Sequence, residues 1–288
     1  MKLHLEKYLF NLMLLLIGVW LVGSLPALFK GISLDIAAYL KSLLGILMNL
    51  FTRDSFTYYL NGIDRPVFPR IISPWIYSIT VLFISFILSF FTAIGIGFIT
   101  MLLSSKIVRI IKRTLNLLES IPDLLFIAVF QLMVITIYKQ TGILFFDIAS
   151  YKEDTPYVLP ILALSILPTI FIYKFTINEF ESEYQFPYVE LARGKGLSEI
   201  YILFKHISRN TLISIFFNTK FILWFMLSNL LIVEFTFGTN GLIQFLMNHK
   251  STDIFTIGIF LFFLPIWMFF SIGKIVLHKL DPNLEEIE

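Results

Sequence analysis

The sequence contains no cysteine, which excludes a disulfide, a thiolate metal site, a cysteine nucleophile and an iron–sulfur cluster. Charge is scarce as well. Only 15% of the 288 residues are Asp, Glu, Lys or Arg, against about a quarter in an ordinary soluble domain. The basic residues form no stripe interleaved with aromatics, so the formal charge of +2 carries no signal for nucleic acid. The four histidines, His4, His206, His249 and His278, are dispersed, and none has a second histidine three or four residues away to form a metal pair. No GxxxxGK[ST] loop occurs, and Gly194-Lys195-Gly196 lacks its spacing. No serine stands in a GxSxG elbow. These absences predict no catalytic residue, no metal site and no cofactor in this chain, and no ATP hydrolysis by it.

What is abundant is apolar surface: 57% of residues are hydrophobic, 32 of them phenylalanine, and the mean hydropathy is +0.84. That is more than one globular core can hide. Uncharged or nearly uncharged runs fall at 8–29, 74–105, 124–138, 156–173, 211–233 (interrupted by Lys220) and 254–273. Runs near 20 residues cross a hydrocarbon layer of about 30 Å as helices. The expectation is therefore an all-α membrane protein with six crossings. The first run exceeds the apolar core of about 7–15 residues in a secretory signal, and Ser24-Leu25-Pro26-Ala27 is a poor cleavage site, so it reads as a retained anchor. Residues 34–51 are broken by Asp35, Lys41, Gly45 and Asn49, which suits an interfacial helix better than a seventh crossing.

Six crossings put both termini on one side. The segments sharing that side carry 13 Lys and Arg, including Lys106, Arg109, Lys112 and Arg113 after the second run, against 3 in the short opposite loops: Lys139, Lys152 and Lys250. Cytoplasmic loops are enriched in these residues, so both termini are expected in the cytoplasm. Ala93 and Gly97 stand four apart, as do Thr92 and Ile96, a spacing that lets membrane helices approach closely. Pro122, Pro160, Pro168 and Pro265 each withhold an amide donor within or beside a span and are expected to kink or loosen it.

Lys220 can snorkel to the cytoplasmic headgroups. Glu119 and Asp123 flank Pro122, where carboxylates complement a helix dipole. Glu234 ends the fifth run, just before Phe235-Thr236-Phe237-Gly238-Thr239-Asn240-Gly241, and can equally be interfacial, or hold the turn or line a path.

Between the fourth and fifth runs lies a charged insertion at 178–210. Pro187 suits a first helical turn. The helix Tyr188-Val189-Glu190-Leu191-Ala192-Arg193 is stopped by Gly194 and Gly196. Ser198 is a ready N-cap, with Glu199 behind it, for a second helix whose Ile200, Leu203, Phe204 and Ile207 share one face. Two amphipathic helices meeting at a glycine turn fit a partner's groove, and they equally fit an interfacial pair with no partner.

These residues resemble the EAA loop of permease subunits in ATP-binding-cassette importers, in the oligopeptide/dipeptide/nickel branch. The acid is Glu190, the alanine Ala192 and the glycine Gly196, with Ala192 through Ser198 and Arg209-Asn210 most similar to that branch. Ser120-Ile121-Pro122, the stretch from Glu234 to Gly241 and Asp281-Pro282 resemble the family in the same order, and one N-terminal span followed by an outer segment resembles the B-type permease. The chain departs from the usual residues at Leu191, Ser214 and Asn240.

The resemblance implies a type I importer fold with three parts: an N-terminal span and extracytoplasmic segment (1–73), a core of five spans (74–280) with its coupling loop at 178–210, and a cytoplasmic tail (281–288). It implies a multi-pass subunit of the bacterial inner membrane, in contact with lipid and paired with a homologous permease, most simply as a heterodimer. Two cytoplasmic ATPases would bind ATP and Mg, and an extracytoplasmic solute-binding protein would deliver peptides, nickel or metallophore complexes. Tyr188, Glu190, Ala192, Arg193, Lys195, Gly196, Leu197 and Ser198 would form the ATPase-coupling surface, and Glu234, Phe237 and Gly241 a gate or pathway. A stand-alone secondary transporter or channel is the alternative, but only Lys220 and Glu234 approach the intramembrane charges it would need. A membrane-embedded enzyme would need a carboxylate, histidine or cysteine cluster at depth.

Overall fold

A computed structural model describes residues 2–30, 33–51, 56–60, 63–143, 147, 155–249 and 251–280. In chain order they form α1 (Lys2–Gly23), a 3-10 turn (Leu25–Leu28), an antiparallel ribbon of β1 (Phe29–Lys30) and β2 (Ser33–Leu34), α2 (Ile36–Phe51), and a second antiparallel ribbon of β3 (Thr57–Leu60) and β4 (Ile63–Pro66). There follow α3 (Ile72–Met101), α4 (Ser105–Glu119), α5 (Asp123–Thr141), α6 (Val158–Glu183), α7 (Pro187–Gly194), α8 (Glu199–Tyr201), a π-helical turn (Ile202–Ile207), α9 (Ser208–Thr236), α10 (Leu242–Asn248) and α11 (Thr252–Leu280). Lys152, Lys250 and Asp281-Pro282 lie outside the described residues.

Among the described residues, six helical segments are long and apolar enough to cross a membrane: Leu9–Leu28, Ile72–Met101, Asp123–Thr141, Val158–Glu183, Glu199–Thr236 and Thr252–Leu277. They match the six runs in number and order, and the chain is an all-α multi-pass membrane protein. At 16 residues, α2 reaches about 24 Å, short of a bilayer's apolar thickness of about 30 Å.

The chain divides into two compact units, Met1–Ile79 with Asn240–Glu288, and Thr80–Thr239. In the first unit, α2 is pinned to α1 by the Trp20 indole N–H, which donates to the Leu43 carbonyl at 3.0 Å. The Asn49 amide donates to the Asp253 carboxylate of α11 at 3.0 Å. Helices α1 and α11 pack closely because residue 23 is glycine: a Cβ there would lie 2.3 Å from Thr256 Oγ1.

In the second unit the small-residue spacing of Ala93 and Gly97 proves part of a longer stripe. Ser85, Ser89 and Ala93 are wholly buried. Ser85 and Ser89 donate to the Ile161 and Ser165 carbonyls of α6 at 3.1 and 2.8 Å. A Cβ at Gly97 would stand 2.8 Å from Thr176 Cγ2. Where lipid offers no hydrophobic drive, such close backbone approach and interhelical hydrogen bonding hold helices together. Thr92 and Ile96, by contrast, are exposed. Helices α5 and α9 run in the same direction, joined by Asn229 donating to Asp123 at 3.2 Å and Gln131 donating to the Thr236 carbonyl at 2.9 Å.

Of the four prolines, only Pro168 and Pro265 are interior to helices. Pro122 is the N-cap of α5 and Pro160 lies in the first turn of α6, where amides have no intrahelical acceptor and proline breaks nothing. The basic stretch after α3 is not an open loop but the helix α4. Glu119 ends that helix and is ion-paired with Lys174 of α6 rather than capping α5.

Candidate functional site

Residues 187–207 fold into a bent elbow between α6 and α9. Pro187 opens α7 at its first position, as its fixed φ favours. Gly194 belongs to the helix. Gly196 alone takes the left-handed conformation, at φ +76°, and two bonds close the turn: Gly196 N–H donates to Arg193 O at 2.8 Å and Leu197 N–H to Ala192 O at 3.3 Å. This is a Schellman cap, in which the left-handed residue lets the last carbonyls find donors. Ser198 then caps the second arm by accepting from Tyr201 N–H at 3.3 Å. Arg193 and Glu199 tie the arms together through a two-pronged contact at 2.7 and 3.2 Å, and the guanidinium lies 5.4 Å from the centre of the Tyr184 ring.

The elbow's inner face is a compact cluster of Val189, Ala192, Ile202, Leu203 and Ile207 against Phe180 of α6, with Phe98, Met101, Tyr184, Tyr188 and Leu197 packed around it. Phe98, near the end of α3, stacks on Phe204 at 4.5 Å and lies 5.0 Å from Phe180. The elbow therefore rests on the ends of two spans and runs into a third. The buried set differs from the expected face: Ile200 and Phe204 are 56% and 54% exposed, while Ile202 is fully buried. The cause is the π-helical turn at Ile202–Ile207, where Ser208 N–H reaches back five residues to Leu203 O. Its wider turn brings residues five apart onto one side, and a 3.6-residue period misassigns them.

Glu183, at the end of α6, was not singled out by sequence. Its carboxylate accepts from the Tyr188 hydroxyl and, at 3.5 Å, from the Asn210 amide, so it joins α6, α7 and α9. Burial, and then the hydrogen bond to this carboxylate, push the Tyr188 hydroxyl pKa well above its ordinary value. Burial and the charge of Glu199 raise that of Tyr184. The hydrogen bond to Glu199 holds Arg193 above its already high value. The outward face consists of Glu190, Leu191, Arg193, Lys195, Gly196, Ser198, Glu199 and Ile200, all exposed. The arrangement is a mixed polar and apolar surface seated on membrane-crossing helices.

Residues 91–285 match the family of binding-protein-dependent transport system inner membrane components. The chain belongs to that family. The matched region holds α4, α5, α6, the elbow, α9, α10 and α11 whole. The chain is 39% identical over 98 residues to the inner membrane ABC transporter permease protein YejB of Escherichia coli O157:H7, covering 32% of this chain and 27% of that protein. It is 33% identical over 79 residues to the dipeptide transport system permease protein DppB of Lactococcus lactis subsp. cremoris (strain MG1363), covering 27% and 26%. These matches thus span about a quarter of each relative's length. A chain of the MetNI methionine ABC transporter, solved in inward-facing conformations, aligns with a TM-score of 0.57 over 73% of this chain and 95% of its own, at 14% identity. That likeness establishes the fold, the type I ABC importer permease fold.

The elbow brings together Tyr188, Glu190, Ala192, Arg193, Lys195, Gly196, Leu197 and Ser198, with Ala192 facing inward and Tyr188 and Leu197 half-buried. In the second unit, Glu234 and Phe237 are fully buried. Gly238 ends α9 with a Schellman cap like that of the elbow, at φ +60°, with Thr239 N–H donating to Glu234 O at 3.0 Å. In the first unit, Gly241 is the N-cap of α10, and the next amide, Leu242 N–H, donates to Ser78 Oγ at 2.7 Å.

Proposed function

We propose that this chain is the permease subunit of an ATP-driven importer of peptides or related small solutes, including nickel or metallophore complexes, and that it is the B-type member of the oligopeptide/dipeptide/nickel branch. The observation that carries the reading is the elbow itself: its inner face is locked to α3, α6 and α9, and its outer face is free to dock. The dipeptide-transport name of one partial relative, DppB, supports the substrate class. In this reading two ATP- and Mg-binding subunits receive the outer face, a second permease completes the pathway, and an extracytoplasmic binding protein delivers the solute. The elbow and both termini face the cytoplasm of a bacterial inner membrane. The chain contributes no catalytic step.

Mechanism follows from the seating. A partner that closes on ATP moves α7 and α8 as one body, because Arg193–Glu199 and the Gly196 turn hold their angle. The motion reaches α3 through Phe98 and Phe204, and reaches α6 and α9 through Phe180, Glu183 and Asn210. Switching a population from 1:99 to 99:1 takes about 5.5 kcal/mol of differential binding. Glu190, Arg193, Lys195 and Gly196 are the docking residues, with Glu234, Phe237 and Gly241 as gate or pathway.

Because the chain has no cysteine, a Glu190→Cys variant carries one thiol. In the assembled transporter that thiol is expected to crosslink to a co-purifying ATPase and to resist impermeant reagents applied from outside the cell. Labelling from outside, or transport by the purified chain alone in vesicles, overturns the reading.

A further inference from the structure

Helix α4 has three distinct sectors. Val108, Ile111, Leu115 and Leu118 are half-buried along one side, which also carries two ion pairs to α6: Lys112 with Glu181 at 2.7 Å, and Glu119 with Lys174. The next sector is apolar yet uncovered: Ile107, Ile110 and Leu117 are 44%, 65% and 68% exposed. Beside it lie Lys106, Arg109 and Arg113, all exposed, at helical spacings of three and four that put them on one stripe. Among the described residues none of these three forms an ion pair, and neither outward sector carries an acid.

We infer that α4 is an interfacial helix that binds anionic phospholipid headgroups. Chain continuity puts it at the membrane boundary. It begins four residues after the membrane-crossing α3 ends at Met101, and α5 starts at Asp123, four residues after it ends. Its ion pairs to Lys174 and Glu181 fix it beside the last turns of α6, another crossing helix. An apolar sector that enters the acyl boundary and a basic sector at the headgroups is the pattern of in-plane membrane helices. Three unpaired cations beside it select negative lipid. A soluble acidic partner would match the basic stripe but leave Ile110 and Leu117 in water; an anionic leaflet satisfies both sectors at once. Through Glu181, two residues before Glu183, lipid held by α4 also acts on the root of the elbow.

The test uses the full chain with Thr114→Cys, an exposed position on the apolar side, carrying an environment-sensitive fluorophore. It is reconstituted in phosphatidylcholine vesicles with and without phosphatidylglycerol, and quenching by headgroup-spin-labelled phosphatidylglycerol is compared with that by spin-labelled phosphatidylcholine. The expected result is several-fold stronger quenching by the anionic lipid. The preference should weaken as salt rises, which needs no charge variant. It should fall by roughly tenfold or more when Lys106, Arg109 and Arg113 are all replaced by Gln, and persist in Lys139→Gln. Equal quenching by the two lipids, a preference unaffected by salt and by the triple substitution, or its abolition by inorganic phosphate overturns the proposal. A crosslink from position 114 to a second copy or to another subunit, in place of lipid quenching, also overturns it.

Discussion

Gly196 separates backbone strain from partner contact. It sits at φ +76° with no atom beyond its two chain neighbours within 4 Å of where a Cβ would stand. Any L residue there carries left-handed strain of about 1–2 kcal/mol, and that strain is nearly the same for alanine and tryptophan because both arise at Cβ. The elbow withstands it. Its inner face buries Val189, Ala192, Ile202, Leu203 and Ile207, and each fully buried aliphatic side chain larger than alanine contributes about 1.5–3 kcal/mol. Gly196→Ala should therefore insert normally and retain most of its uptake. Gly196→Trp adds only a ring projecting away from its own chain, into the proposed partner groove. Uptake should drop by about tenfold or more, equivalent to about 1.4 kcal/mol of lost differential binding, while ATP hydrolysis by the assembled complex continues uncoupled. The assay is solute uptake and ATPase rate in the same proteoliposomes, normalised to assembled complex. If the two variants behave alike, whether both intact or both impaired, no partner surface lies over Gly196 and the lever argument fails.

Gly97→Leu should force α3 off Thr176 and destabilise the second unit by about 1–3 kcal/mol, as overpacking does, seen as a lower unfolding temperature in detergent, whereas Gly95→Leu, with open space at its Cβ, should not. Tyr188 has its pKa raised above the ordinary 10, so the stability it contributes is complete below that pH and is lost as pH climbs through the raised value. Protease nicking of the elbow should accelerate on the alkaline side, and Tyr188→Phe should reduce the pH dependence, leaving the part that Tyr184 contributes. Replacing Arg193 and Glu199 singly and together should give a coupling energy below about 1 kcal/mol in folding, since exposed pairs contribute little. Coupling in uptake that exceeds the folding value would show that the pair sets the elbow's angle for a partner.

The spans and the elbow's punctuation were legible along the chain because their causes are local. A run of about 20 apolar residues is long enough to cross a bilayer whatever surrounds it, and Ser198 and Gly196 act on backbone groups a few residues away. The elbow's inner face was not legible in the same way. Ile202 replaces Ile200 and Phe204 in the core because a π-helical turn adds a residue to the repeat, and a 3.6-residue period cannot register that insertion.

Helix α4 occupies an intermediate case. Val108, Ile111, Leu115 and Leu118 carried a helical period that counting charges for orientation passed over. Its pairing with Glu181 and Lys174 joins residues 69 and 55 positions apart. Glu183, Phe98 and the α3 stripe running back to Ser85 depend likewise on distant helices. The sequence alone determined which segments are apolar and long enough to enter the membrane and where the elbow's turn bends, since those follow from solvent preference and short-range hydrogen bonding. Only the tertiary structure decided which side of each helix is buried and which spans the elbow grips, because that choice is made by through-space packing between residues the chain separates.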